Sequence, residues 1–171
     1  QDLVRQEVRD GDVVGNHTYS HLDVSKQSSW RARAEIQGGA LVIEGITGRR
    51  PLLFRSPFGA GELSDKSSGN KDALAESLGF HAVNWTADTL DWKRPGVSSI
   101  VQAVDSQASD RTVVLMHDGG GDRSQTLAAL PTIIQDLRAR GYQFTTVDAF
   151  DGTIASPYAS RSSASSRLRG L

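Results

Sequence analysis

Apolar positions along the chain alternate between helical and strand spacing, and that alternation is the first guide to its organisation. Leu3, Val4 and Val8 fall at helical spacing and Gly11 follows, so residues 1–10 read as the end of an amphipathic helix. Val13-Val14-Gly15-Asn16 reads as a short buried strand. Ser28 or Ser29 can cap a helix bearing Trp30, Ala34 and Ile36, which Gly38-Gly39 is expected to break or bend. A second helical stretch then runs through Leu41, Val42 and Ile46 to Gly48. Pro51 to Phe54 predicts a strand, Asp72 to Leu78 a short helix closed by Gly79, and Phe80 to Trp85 another strand. Val97 to Val104 predicts a helix and Thr112 to Met116 a strongly apolar strand. Leu127 to Arg140 is the clearest helix, with Thr126 as its candidate cap and Gly141 just past its end, and Tyr142 to Val147 predicts the last strand. Strands alternating with helices point to an α/β fold built from parallel βαβ units. Residues 1–150 read as one domain, and 151–171 as a Ser/Arg-rich tail or linker without fixed structure.

Composition narrows the chemistry mainly by exclusion. The 171 residues suffice for one domain with a real core, and 17 glycines imply many turns. Lys+Arg and Asp+Glu nearly cancel at 19 against 20, which leaves no electrostatic footprint for nucleic acid or an anionic membrane. With no cysteine in the chain, disulfides, thiolate zinc sites and cysteine nucleophiles are excluded. The opening Gln1-Asp2-Leu3-Val4-Arg5 carries no initiator Met and no signal pattern, and it reads like the middle of a helix in a truncated chain.

In parallel α/β folds the reactive groups gather where strands end, and four polar segments fall there. In Asn16-His17-Thr18-Tyr19-Ser20-His21, two imidazoles four residues apart can share one ion if the segment turns helically; the alternative is two unrelated surface histidines. Asn16-His17-Thr18 is also formally a glycosylation sequon. In Phe54-Arg55-Ser56-Pro57-Phe58-Gly59, the Arg can orient a carboxylate and the turn can aim backbone N–H groups at an oxyanion, unless this is an ordinary loop. Leu115-Met116-His117-Asp118 puts a candidate general acid or base after a buried strand, or else a satisfied core histidine. The Gly119-Gly120-Gly121 that follows lacks the Lys-Ser/Thr of a phosphate loop. Asp88-Thr89-Leu90-Asp91-Trp92 offers two carboxylates and an aromatic wall, or turn residues beside a core Trp.

Taken in order, His-Thr-x-x-His, Arg-x-Pro-Phe-Gly, Asp-x-x-Asp-Trp and Leu-x-His-Asp, the chain resembles the NodB-like polysaccharide deacetylases of carbohydrate esterase family 4 from about Gly11 to Val147. The resemblance implies a distorted (β/α) barrel, here incomplete and without its first strand. It implies hydrolysis of acetyl groups, chiefly N-acetyl, on a polysaccharide such as peptidoglycan, a chitin-like chain or an exopolysaccharide. His17 and His21 would be ligands of a divalent metal, most often Zn2+. The N–H of Phe58, after Pro57, would complete the oxyanion site, and His117 would protonate the leaving amine while Asp91 tunes it. Trp92 and Leu115 would wall the pocket for the acetyl methyl, and Asp88 carries over without a defined role. The family's first motif, Thr-Phe-Asp-Asp-Gly, supplies the catalytic base and the third ligand and is absent from this sequence. Arg55, whose family role is to hold that base, would serve an acid that these residues do not contain, and neither Asp148 nor Asp151 lies in a comparable context. The chain alone is therefore expected to be nearly inactive, and a non-catalytic carbohydrate-binding relative is the alternative. His81 matches no motif and reads as structural. Family precedent places the activity outside the cytoplasmic membrane, and the tail could join a further domain.

Overall fold

The computed structural model describes residues 1–59 and 71–151; the expected tail lies outside them, apart from its first residue. The described residues fold as two compact units, one drawn from 1–83 and 146–151 and one from 84–145.

In the first unit, α1 (Asp2–Asp10) is the amphipathic helix expected, and Gly11 ends it at φ 96°, a left-handed conformation that a residue without Cβ adopts at little cost. The expected strand at 13–16 is reduced to one parallel bridge, Asn16 with Phe54. The Asn16 N–H donates to the Leu53 carbonyl and the Arg55 N–H to the Asn16 carbonyl. Ladder bonding thus reaches this segment only at Asn16. β1 (Leu53–Phe54) pairs in parallel with β2 (His81–Ala82). Both are shorter than the apolar runs that announced them, because a strand extends only where its neighbour continues to offer partners. α3 (Lys71–Ser77) packs beside them. Ile36, Ala40, Phe54, Ala75 and Phe80 form the core of this unit, with Leu74 and Leu78 against it.

Gly38-Gly39 does not break the helix. α2 runs unbroken over Ser29–Thr47. A Cβ on Gly39 would collide with the Asn16 side chain and approach the Thr18 carbonyl carbon to 2.7 Å, closer than packed atoms tolerate. Gly39 therefore lets the segment 16–18 lie directly on α2. A Cβ on Gly45 would meet nothing within 4 Å. Gly39→Ala is expected to destabilise the chain by about 1–3 kcal/mol through overpacking. Gly45→Ala should stabilise it by up to about 1 kcal/mol through helix propensity. Denaturant midpoints of the two variants check this, and equal shifts would contradict it.

In the second unit, β3 (Ala87–Asp88) pairs in parallel with β4 (Val114–Leu115). α4 (Val97–Gln107) and α5 (Ser124–Ala139) enclose Ile100, Val104, Ala129, Ile133 and Leu137. α5 starts earlier than its apolar pattern suggested, and Thr126 is not its cap. The N-cap position is Arg123, with no side-chain cap bond. Gly141 follows α5 at φ 88°, as expected of a residue just past a helix end. The last expected strand is corrected as well: 142–146 is irregular and 147–151 forms a short helix, α6 (Val147–Asp151), which belongs to the first unit. Among the described residues no ladder partner exists for 142–147, so its β-prone composition is not realised as strand.

Candidate active site

The first unit gathers His17, His21 and Phe58. The two imidazoles approach to 4.9 Å between ring centroids in a T-shaped arrangement, and the Phe58 ring stands 4.8 Å from His21. Convergence does not come from a helical turn, the route that the spacing left open. Thr18 and His21 adopt left-handed φ values of 69° and 58°, and this folds the segment back on itself. Such a φ is uncommon for a β-branched residue and stores strain, which the surroundings must hold in place. They do so through α2. The Asn16 side chain donates to the Ile36 carbonyl at 2.8 Å, and the Tyr19 N–H donates to the Glu35 carbonyl at 3.0 Å. Ser20 donates to buried Glu35 from both its N–H and its hydroxyl, at 2.9 Å each, while Arg31 meets the other Glu35 oxygen at 3.1 Å. Asn16 is only 1% exposed, so the sequon that contains it is not accessible.

His17 Nδ1 lies 2.7 Å from the Arg55 carbonyl. A carbonyl can only accept, so Nδ1 carries the proton; in the neutral form of the ring Nε2 is then the nitrogen with the lone pair, the tautomer in which an imidazole binds a metal. Two ligands of a divalent cation therefore fit here. Among the described residues no group of three or more His, Cys, Asp or Glu stands together in a way that could hold an ion.

The 3₁₀ turn Pro57–Gly59 follows β1. Pro57 is buried, whereas Phe58 is 70% exposed at φ 60°, so its backbone is turned against the usual preference of an aromatic residue. The half-buried Arg55 donates from Nε to the Val83 carbonyl at 3.1 Å, and burial lowers the pKa of its guanidinium below the ordinary arginine value. Ser56 donates to buried Asp72 at 2.9 Å, which ties the turn to the start of α3.

The second unit builds an acid pair. Asp91 opens a 3₁₀ turn (Asp91–Lys93) flanked by Leu90 and Arg94 at left-handed φ values of 51° and 56°. Its carboxylate is 1% exposed and lies 2.7 Å from His117 Nδ1, and it also accepts from the His117 N–H at 2.8 Å and the Thr126 hydroxyl at 2.8 Å. Burial pushes the Asp91 carboxyl upward, but the bonds from His117 and then Thr126 outweigh it and hold the group below 3.8. The ionised carboxylate makes His117 Nδ1 a donor, so the exposed side of the ring carries Nε2. Thr89, whose hydroxyl donates to the Leu115 carbonyl at 2.8 Å, fastens this turn to β4. Asp88 accepts from the Leu90 N–H at 2.9 Å and so supports the strained turn. Trp92 is 51% exposed and Leu115 half-buried. His81, on β2, is exposed.

Because folding depresses the Asp91 pKa, the stability that its ionised form contributes is complete above the unfolded value near 3.8 and lost as pH falls through the lower folded value. The gap in denaturant midpoint between wild type and Asp91→Ala is thus expected to hold from neutral pH to about that value and narrow below it. A gap unchanged down to the lowest pH at which the chain folds would contradict this.

Several residues that build the site were not read from the sequence as parts of it: Asn16, Glu35, Thr89 and Thr126. A glutamate on the helix face that carries Ile36 was the available signal for Glu35; the bond from Thr126 to a residue 35 positions away left none.

The profile of the polysaccharide deacetylase family matches residues 1–83. Over 147 residues the chain is 40% identical to a peptidoglycan-N-acetylglucosamine deacetylase of Bacillus cereus, covering 85% of this chain and 66% of that protein. It is 35% identical to a chitooligosaccharide deacetylase of Rhizobium leguminosarum bv. trifolii, covering 82% of this chain and 68% of the relative. Among solved structures it superposes with a TM-score of 0.80, at 26% identity, on the Bc1960 peptidoglycan N-acetylglucosamine deacetylase bound to 4-naphthalen-1-yl-N-oxidanyl-benzamide, covering 91% of this chain and 70% of that one. It also superposes with a TM-score of 0.75, at 30% identity, on a family 4 pseudoenzyme from Bacillus anthracis, covering 87% of this chain and 50% of that one. The chain belongs to the polysaccharide deacetylase family and has its α/β fold.

Proposed function

We propose that these residues serve a metal-dependent hydrolase that removes N-acetyl groups from acetamido sugars of a polysaccharide. The observation that carries the reading is the imidazole of His117, tied through Nδ1 to a buried, ionised carboxylate in a chain of this family. His17 and His21 would hold a divalent cation, most often zinc in such donor sets, which would polarise the acetyl carbonyl and make the attacking water more acidic. The Phe58 N–H stabilises the oxygen that gains charge. His117 gives its Nε2 proton to the sugar nitrogen as the C–N bond breaks, and Asp91 stabilises the charged ring. Trp92 and Leu115 wall the acetyl methyl, while Arg55 orients the base. Acetate and a free amine result, with the hydroxyl of water on the acetyl carbon. The ligand of the Bc1960 deacetylase is an N-hydroxyamide, a class whose two oxygens chelate divalent cations, and this supports the metal assignment.

No two aspartates adjoin anywhere in these 171 residues, so the residue that would take the proton from water is not among them. The chain alone is expected to release no acetate above background. The substrate, a cell-wall or chitin-like polymer, places the reaction outside the cytoplasmic membrane. The test is acetate release from an N-acetylglucosamine oligomer or peptidoglycan by the gene product that contains these residues. One new free amine per acetate is the expected result, and acetate without amine would show a different bond being cut. A second reading, a non-catalytic glycan-binding relative, is favoured by the similar Bacillus anthracis pseudoenzyme. Glycan binding that is indifferent to metal, with no acetate released by that gene product, would decide for it.

A further inference from the structure

Thr126 lies in the first turn of α5, where a threonine hydroxyl ordinarily bonds to its own helix or caps it. Here the hydroxyl leaves the helix. It is 4% exposed and donates to Asp91 Oδ2 at 2.8 Å. The second donor to that oxygen is the His117 backbone N–H, also at 2.8 Å, while Oδ1 receives the His117 ring at 2.7 Å. Taken alone, the backbone N–H leaves the carboxylate free to swing about its own axis, and any swing moves Oδ1 away from the imidazole. A second donor on Oδ2 removes that freedom. The same hydroxyl also favours the ionised carboxylate, because a hydroxyl that donates strengthens with the charge on its acceptor.

We propose that Thr126 is a positioning residue for the acid: its hydroxyl fixes the Asp91 carboxylate so that Oδ1 holds His117 Nδ1–H and presents Nε2 to the leaving group. This deepens the proposed function and rests on it for the role of His117, but the geometric claim can be tested in the 171-residue chain without turnover. The probe is the His117 Nδ1–H proton, followed by NMR in wild type, Thr126→Val and Thr126→Ser. Thr126→Val keeps the shape and deletes the donor, whereas Thr126→Ser keeps the donor. The proposal expects the Nδ1–H signal to exchange with solvent at least about tenfold faster in Thr126→Val and to recover in Thr126→Ser.

The Gly96 N–H, which donates to the neighbouring Gln125 side chain at 2.8 Å, reports whether the start of α5 remains intact. An unchanged Nδ1–H signal in Thr126→Val overturns the proposal. So does a loss of the Gly96 and Nδ1–H signals together, since Thr126 would then only hold the helix. Absence of acetate release from the gene product, with the Nδ1–H result as expected, counts against the deacetylase reading and leaves the positioning role standing.

Discussion

His117→Ala is expected to lower kcat for deacetylation by about 10²- to 10⁴-fold in the gene product, with KM nearly unchanged. The sugar nitrogen is a poor leaving group unless a proton reaches it as the C–N bond breaks. His117 is the group placed to deliver that proton, because its Nδ1 is committed to Asp91 at 2.7 Å and its other nitrogen carries no such bond to the carboxylate. An effect confined to kcat marks an interaction made only in the transition state. Asp91→Asn is expected to lose a comparable factor, because an amide that donates to Nδ1 reverses the tautomer and stabilises no charge on the ring. A rise in KM with kcat intact would make His117 a substrate-binding residue instead.

The second large effect concerns the imidazole pair. His17→Ala or His21→Ala is expected to weaken zinc binding by at least about 100-fold, more than the loss of a supporting contact produces. The reason lies in the backbone. Thr18 and His21 at φ 69° and 58° are held strained so that two rings stand 4.9 Å apart, and Arg55 presets the tautomer of one of them. Such preorganisation is useful only if both nitrogens act on one object. Calorimetric titration with zinc checks this, and unchanged affinity in either variant would return the pair to two surface histidines.

Much of this was legible in the sequence because it is local. The His-x-x-x-His spacing, the Pro-Phe-Gly turn and the Asp91 and His117 motifs are short runs whose chemistry stays with the run, and the structure brings each to a turn or strand end. What the sequence did not reveal depends on distant partners. Gly38-Gly39 read as a helix break because propensity weighs a glycine against water. Gly39 answers instead to the backbone of Thr18, some twenty positions earlier. Thr126 read as a cap because caps are judged from the next few residues, whereas its acceptor is Asp91. Tyr142 to Val147 read as a strand from its own composition, but a strand is a relation between two segments. The sequence offered a helical turn as the way for His17 and His21 to converge, and only attachment to Glu35 and Ile36 on α2 explains the left-handed path that the segment takes instead.

The most direct test of the central claim is acetate release from an N-acetylglucosamine oligomer by the gene product, stripped of metal with a chelator and then supplied with zinc. The account predicts that activity disappears on stripping, returns with zinc in the wild type, and fails to return in His17→Ala. Activity that survives complete stripping, or that returns fully in His17→Ala, would contradict it.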